Sequence, residues 1–339
     1  MPNLRLLVIS AMLSSVLGVA ACGGGGGYGG GNNAPSGAAP SKLFAADSTH
    51  QVIGSLANPD PATGSLIVDR AIGRLSPYFY NNAGFSMNIG SLALDTARDY
   101  LYVGNGTSIL VFHGASTAAG DILNNASIGS IGNTGSMFLD AAHDSLYVGD
   151  DVSNVKVFSP ASAAISTSTP RLVTGMTTPI HGVAVDTTNN ILYVSNENSG
   201  THQISVFDSA DTVTTAAPSR TIVPTVSAVN QPVGGISLDA AHDLLYVAPG
   251  SGGNGIMVFG TASTASGSIP PAKTLTITSA PGILSVLVDS ANDRLYAVGS
   301  NGHIYLIEAV RTLLTGAAAA KDASLSNGGM LTAVAVNPN

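Results

Sequence analysis

From about residue 90 onward, apolar and polar positions repeat one phrase. An apolar run ends in Asp, three residues pass, an Asp or Asn follows, then one residue, Leu-Tyr-Val, a polar interruption and an apolar run closing on Val-Phe. One copy reads Leu94-Asp95, Asp99, Leu101-Tyr102-Val103 and Val111-Phe112, and the next reads Leu139-Asp140, Asp144, Leu146-Tyr147-Val148 and Val157-Phe158. The others centre on Leu192-Tyr193-Val194, Leu245-Tyr246-Val247 and, with slight degeneracy, Leu295-Tyr296-Ala297. Short apolar runs broken by turn residues predict three strands per copy, A, B and C. A fourth, D, is predicted at 170–173, 220–223 and 273–276, where Arg, Lys and nearby Pro are the expected protection of an outer sheet edge.

Copies about 45 to 53 residues apart suit four-stranded blades and are too long for leucine-rich or ankyrin repeats. The C-terminal run 331–337 looks like an A strand with no B strand after it, whereas 42–45 matches the Leu-Tyr-Val strand and 51–54 a C strand. Five whole copies and one split copy predict an all-β, six-bladed β-propeller over 42–339, closed by pairing of the C-terminal strand with the N-terminal strands. Sharing a blade between the two ends removes the open seam of the ring.

The repeat resembles the NHL and YVTN propeller families, most clearly at Ile180-His181-Gly182-Val183-Ala184-Val185-Asp186 followed by Leu192-Tyr193-Val194. That resemblance covers 42–339 and implies architecture. Such families include lactonases, lyases and pure binding scaffolds, so it transfers no activity.

The first forty residues follow a different pattern. Residues 1–21 read as a signal peptide, with Arg5 in the n-region and an apolar stretch over 6–19. Val19-Ala20-Ala21-Cys22 resembles the lipobox of bacterial lipoproteins, which implies that the Cys22 thiol receives a lipid and tethers the chain to a membrane. Cys22 is the sole cysteine, so no intramolecular disulfide forms. Residues 22–41, the lipidated Cys and a glycine-rich stretch, read as a flexible tether with a root-mean-square reach of about 25 Å. In Gram-negative lipoproteins an Asp after the cysteine retains the protein at the inner membrane. Gly23 here implies the cell envelope at the outer membrane, with the side left open.

Composition narrows the chemistry. Charged residues are 9% of the chain and the net charge is −8, so the clustered Lys and Arg of a nucleic-acid site are lacking. There is no Gly-x-Ser-x-Gly elbow, no metal-ligand spacing and no phosphate-binding Gly-Lys-Ser/Thr, so no cofactor, metal or catalytic set is expected. The repeated Asp pairs read as turn residues that satisfy backbone donors. His143 and His242 occupy equivalent places in that turn.

The B–C hairpins and D–A connections should share the face opposite the A–B turns. There, the connection 76–88 concentrates aromatics in a chain where they are only 5%, so Tyr78, Phe79, Tyr80, Phe85 and Asn88 are candidates for stacking on a sugar or anchoring a protein. The alternative, that they fold over a blade edge, stays open. His181, just before an A strand, should stand near the channel mouth as a candidate for ligand contact or acid–base work, or as a packed histidine. The resulting expectation is a membrane-anchored binding or scaffold module for a protein or carbohydrate partner. A lactonase- or lyase-type enzyme acting in the channel is the alternative.

Overall fold

In the computed structural model the described residues are 42–57, 64–66, 68–72, 89–120, 122, 124–129, 131–150, 152–176, 179–214, 217–226, 229–325 and 328–337. Six separate sheets arise, each built on four antiparallel strands, and their inner strands contact one another around a ring. The chain is a six-bladed β-propeller. Its inner strands are Leu331–Val336, Ile89–Asp95, Thr134–Asp140, Ile180–Asp186, Ile236–Asp239 and Ile283–Asp289, for blades 1 to 6.

The B strands explain why Leu-Tyr-Val is apolar throughout. Side chains alternate across a strand, so Leu and Val point to one neighbouring blade and Tyr to the other. Leu146 and Val148 of blade 3 accordingly pack in the core shared with blade 2, and Tyr147 in the core shared with blade 4. Blade 4 repeats this with Leu192 and Val194 against Tyr193. Six such cores, one per pair of neighbouring blades, hold the ring together.

Blade 1 is the split one. Leu43–Asp47 pairs on one side with Val52–Leu56 and on the other with Leu331–Val336, Leu43 standing opposite Val336. Gly329 lies so close to the buried Asp47 that a Cβ there would meet its carboxylate oxygen at 2.2 Å. A second clasp is added by Gly64–Leu66, which pairs in parallel with the outer strand Lys321–Leu325 of blade 6. The same device recurs around the ring. The C–D connections of blades 5 and 6 lay Gly267–Ile269 and Gly316–Ala317 in parallel on the outer strands of blades 4 and 5.

The basic residues of the outer strands therefore do something other than repel an incoming strand. Arg70, Arg171, Arg220 and Lys273 reach across to carbonyl oxygens in the C–D corner of the following blade. Lys273 Nζ alone donates to the carbonyls of Val310, Arg311 and Leu313 at 2.8 to 3.0 Å, and burial pushes its pKa down. The outer edge is covered by backbone, and these charges clamp one blade to the next.

Candidate functional site

The Asp pairs resolve into two structural devices. The first Asp ends the inner strand and is buried: Asp95 Oδ1 accepts from the backbone N–H of Ala97 and Arg98, both at 3.0 Å, and Asp186 repeats this with Thr188 and Asn189. The second residue takes a left-handed backbone at Asp99, Asp144, Asn190, Asp243 and Asp293, which Asp and Asn tolerate. Its side chain then caps the C–D corner, as Asp99 does by accepting from the N–H and Oγ of Ser116. These carboxylates are occupied with turns. His143 and His242 complete the same motif through Nδ1 contacts of 2.7 and 2.9 Å to Asp140 and Asp239.

Two faces follow. A–B turns and C–D corners occupy one, the turn face; B–C hairpins and D–A connections occupy the other, the hairpin face. The central channel encloses about 370 Å³ and is lined by all six inner strands. His181 is half-buried in its wall, one residue into the inner strand of blade 4. At the same level Gly90 and Gly135 line the wall without side chains, and Gly235 brings blade 5 close enough for its N–H to bond the Leu284 carbonyl at 2.9 Å. Much of the polar lining serves the ring. Ser136 Oγ accepts from the Val183 N–H of the next blade at 3.1 Å, and Ser237 Oγ from Val288 N–H at 3.0 Å.

Among the described residues, the most prominent relief on the hairpin face belongs to blade 4. Its strands Ile191–Asn198 and Thr201–Asp208 form a hairpin of eight residues a side, and Arg220–Val226 turns back through Val229–Asn230 beside it. Asn230 ties the two hairpins together: its Oδ1 accepts from His202 N–H at 2.9 Å and its Nδ2 donates to the His202 carbonyl at 2.8 Å. Val226 and Val229 stand 45% and 61% exposed on this projection, and Val152 of blade 3 is 58% exposed on the same face. Scattered exposed apolar residues are ordinary on a soluble surface; here Val226 and Val229 face each other across one hairpin and Val152 lies on the neighbouring blade. At the base of blade 3, Asp150 is buried. Burial works to raise its carboxyl, yet the N–H groups of Ser153 and Asn154, with Lys156, outweigh this and hold it below the usual range.

Cys22, Tyr78, Phe79, Tyr80, Phe85 and Asn88 lie outside the described residues. Glu197 sits in the blade 4 hairpin, 4.0 Å from His202, and Glu308 lies beside Arg294 and Lys321; neither lines the channel. Among the described residues no group of three His, Cys, Asp or Glu side chains is placed to hold a metal ion. The blade 4 projection escaped sequence reasoning, although the longer spacing from Asp186 to Asp239 marked where extra chain was inserted.

The architecture is shared with solved structures. By fold the chain is a propeller. It superposes with a TM-score of 0.58 on a chain of the crystal structure of a nidogen/laminin complex, at 12% identity, covering 87% of this propeller chain and 97% of the other. That likeness carries the fold. No protein-family model and no curated protein matches the sequence.

Proposed function

We infer that this propeller is a non-enzymatic binding module, held at the cell envelope by a lipid on Cys22 and engaging a protein partner through its hairpin face. The observation that carries the reading is the hydrogen-bonded blade 4 projection with exposed Val226 and Val229, together with exposed Val152 on the neighbouring blade. The ring is braced by side-chain and backbone bonds between blades, which suits a platform that presents a surface without deforming. A propeller of similar fold occurs in a nidogen/laminin complex, an assembly of proteins. The lipobox and the glycine tract supply the anchoring half of the reading.

A photo-crosslinking residue placed at Val229, at Val152 or, on the turn face, at Ile165 tests the interface in cells. Adducts from Val229 and Val152 and none from Ile165 are expected; the reverse pattern removes the hairpin face as the docking surface. For the anchor, Cys22→Ser should abolish incorporation of labelled fatty acid and move the chain from the membrane to the soluble fraction. Retention of both by the variant refutes lipidation at this residue.

A further inference from the structure

On the turn face, between blades 3 and 4, lies a cavity of about 570 Å³. One cross-strand pair accounts for it. The residue before Leu-Tyr-Val on strand B faces the residue after Val-Phe on strand C. In blade 2 these are Tyr100 and His113, whose rings stack at 3.8 Å, and in blade 6 they are Arg294 and Glu308, an ion pair at 3.5 Å. Blade 3 has Ser145 and Ser159, with their Oγ atoms 3.0 Å apart. Two small hydroxyls stand where blade 2 has two rings, and the space is left open.

The walls are chemically mixed. Tyr147, Val157 and Val185, all buried, form an apolar floor. Above it stand the serine hydroxyls, the Asp140 carboxylate held by His143, and the Asn190–Asp211 pair, in which Asn190 Nδ2 donates to Asp211 at 2.6 Å. That bond from Asn190 keeps the Asp211 carboxyl below its ordinary pKa, so it stays an acceptor. Arg171, the guanidinium at the wall, already donates to the Ala210 and Val213 carbonyls.

Two carboxylates outnumber one committed guanidinium, which disfavours an anion. Both carboxylates already have hydrogen-bond donors, which weakens the case for a cation. Groups that donate and accept at once suit this rim, and a flat C–H surface suits the floor. We propose that this cavity binds a neutral saccharide of one or two rings, its C–H face on Tyr147, Val157 and Val185, its hydroxyls shared among Ser145, Ser159, Asn190 and Asp211. The site is on the face opposite the valine projection, so it is independent of the partner surface.

Calorimetry and saturation-transfer NMR on the purified full chain test this with glucose, galactose, mannose, N-acetylglucosamine, maltose and cellobiose, and with glucuronate, inorganic phosphate and putrescine as charged comparators. At least one neutral sugar should bind saturably with a Kd below about 10 mM. The S145Y/S159H variant, which copies the blade 2 pair, should weaken it about tenfold or more, and D211N about threefold. D211N removes a charge without filling space, so it still reads the site if the double variant misfolds by circular dichroism. Absence of binding by every neutral sugar, affinity unchanged in the folded variants, or preference for glucuronate, phosphate or putrescine overturns the proposal.

Discussion

Tyr147 and Tyr246 occupy the same place in blades 3 and 5, yet only the first has a partner for its hydroxyl among the described residues. Tyr147 Oη donates to the Ala210 carbonyl at 3.2 Å, while the buried hydroxyls of Tyr102 and Tyr246 have none among the described residues. An unmade hydrogen bond inside a protein costs the desolvation of the group, whereas a made one contributes about 1 kcal/mol. Tyr102→Phe and Tyr246→Phe should therefore leave stability unchanged or raise it by up to about 1 kcal/mol, and Tyr147→Phe should lower it by about 1 kcal/mol. Urea midpoints at constant slope measure the difference.

Burial pushes the pKa of Tyr102, Tyr193 and Tyr246 well up. The folded chain then holds these protons after the unfolded chain, at about pH 10, has released them. The contribution to stability is constant below about pH 10 and is lost as pH rises beyond it. Absorbance at alkaline pH should show these tyrosines ionising only together with loss of the near-ultraviolet circular dichroism signal. Their titration in the intact fold near pH 10 would contradict the burial.

The ladder between Leu43 and Val336 closes the ring, and Leu331, Ala333, Val334 and Ala335 are all buried in it. Deleting residues 331–339 exposes the flanks of blades 1, 2 and 6 and removes a set of ladder bonds, a loss on the order of 5 kcal/mol or more. A fall in Tm of at least about 10 °C, with broadened unfolding, is expected by scanning calorimetry.

Asp95 accepts two backbone N–H groups while fully buried, and Arg98 bonds it as well. Asp95→Ala leaves those donors without an acceptor and should cost about 2 to 4 kcal/mol. Asp208, 59% exposed beside Arg220, is a contrast: its replacement by Ala should cost less than about 1 kcal/mol. Equal effects at the two sites in denaturant titrations would show that the Asp turns are not the structural elements their bonds imply.

Lys273 holds the blade 5 to blade 6 junction through three carbonyls. Lys273→Met keeps the aliphatic stem and removes the donors, so a loss of about 2 to 3 kcal/mol is expected, with hydrogen exchange rising first in the C–D corner of blade 6. Unaltered exchange there would mean that the clamp contributes little.

Much of this was legible in the repeat. The six-residue interval from Asp95 to Leu101, kept in every whole copy, encodes an Asp-capped turn between two strands, and the C-terminal 331–336 run shows where the ring closes. The roles of Arg171, Arg220 and Lys273 were not legible, because each bonds carbonyls about forty residues further along, on the next blade. The cavity left a faint mark: Ser145 and Ser159 sit at the positions of Tyr100 and His113 once the copies are aligned.

Strand, turn and blade count reside in the chain order, since period-two alternation and Asp turn chemistry act between residues only a few positions apart. The clamps, the orphaned tyrosine hydroxyls, the blade 4 projection and the cavity were decided by closure of the ring. Closure alone brings each blade against the next, and whether a side chain there finds a carbonyl, a ring or open space depends on residues a whole repeat away.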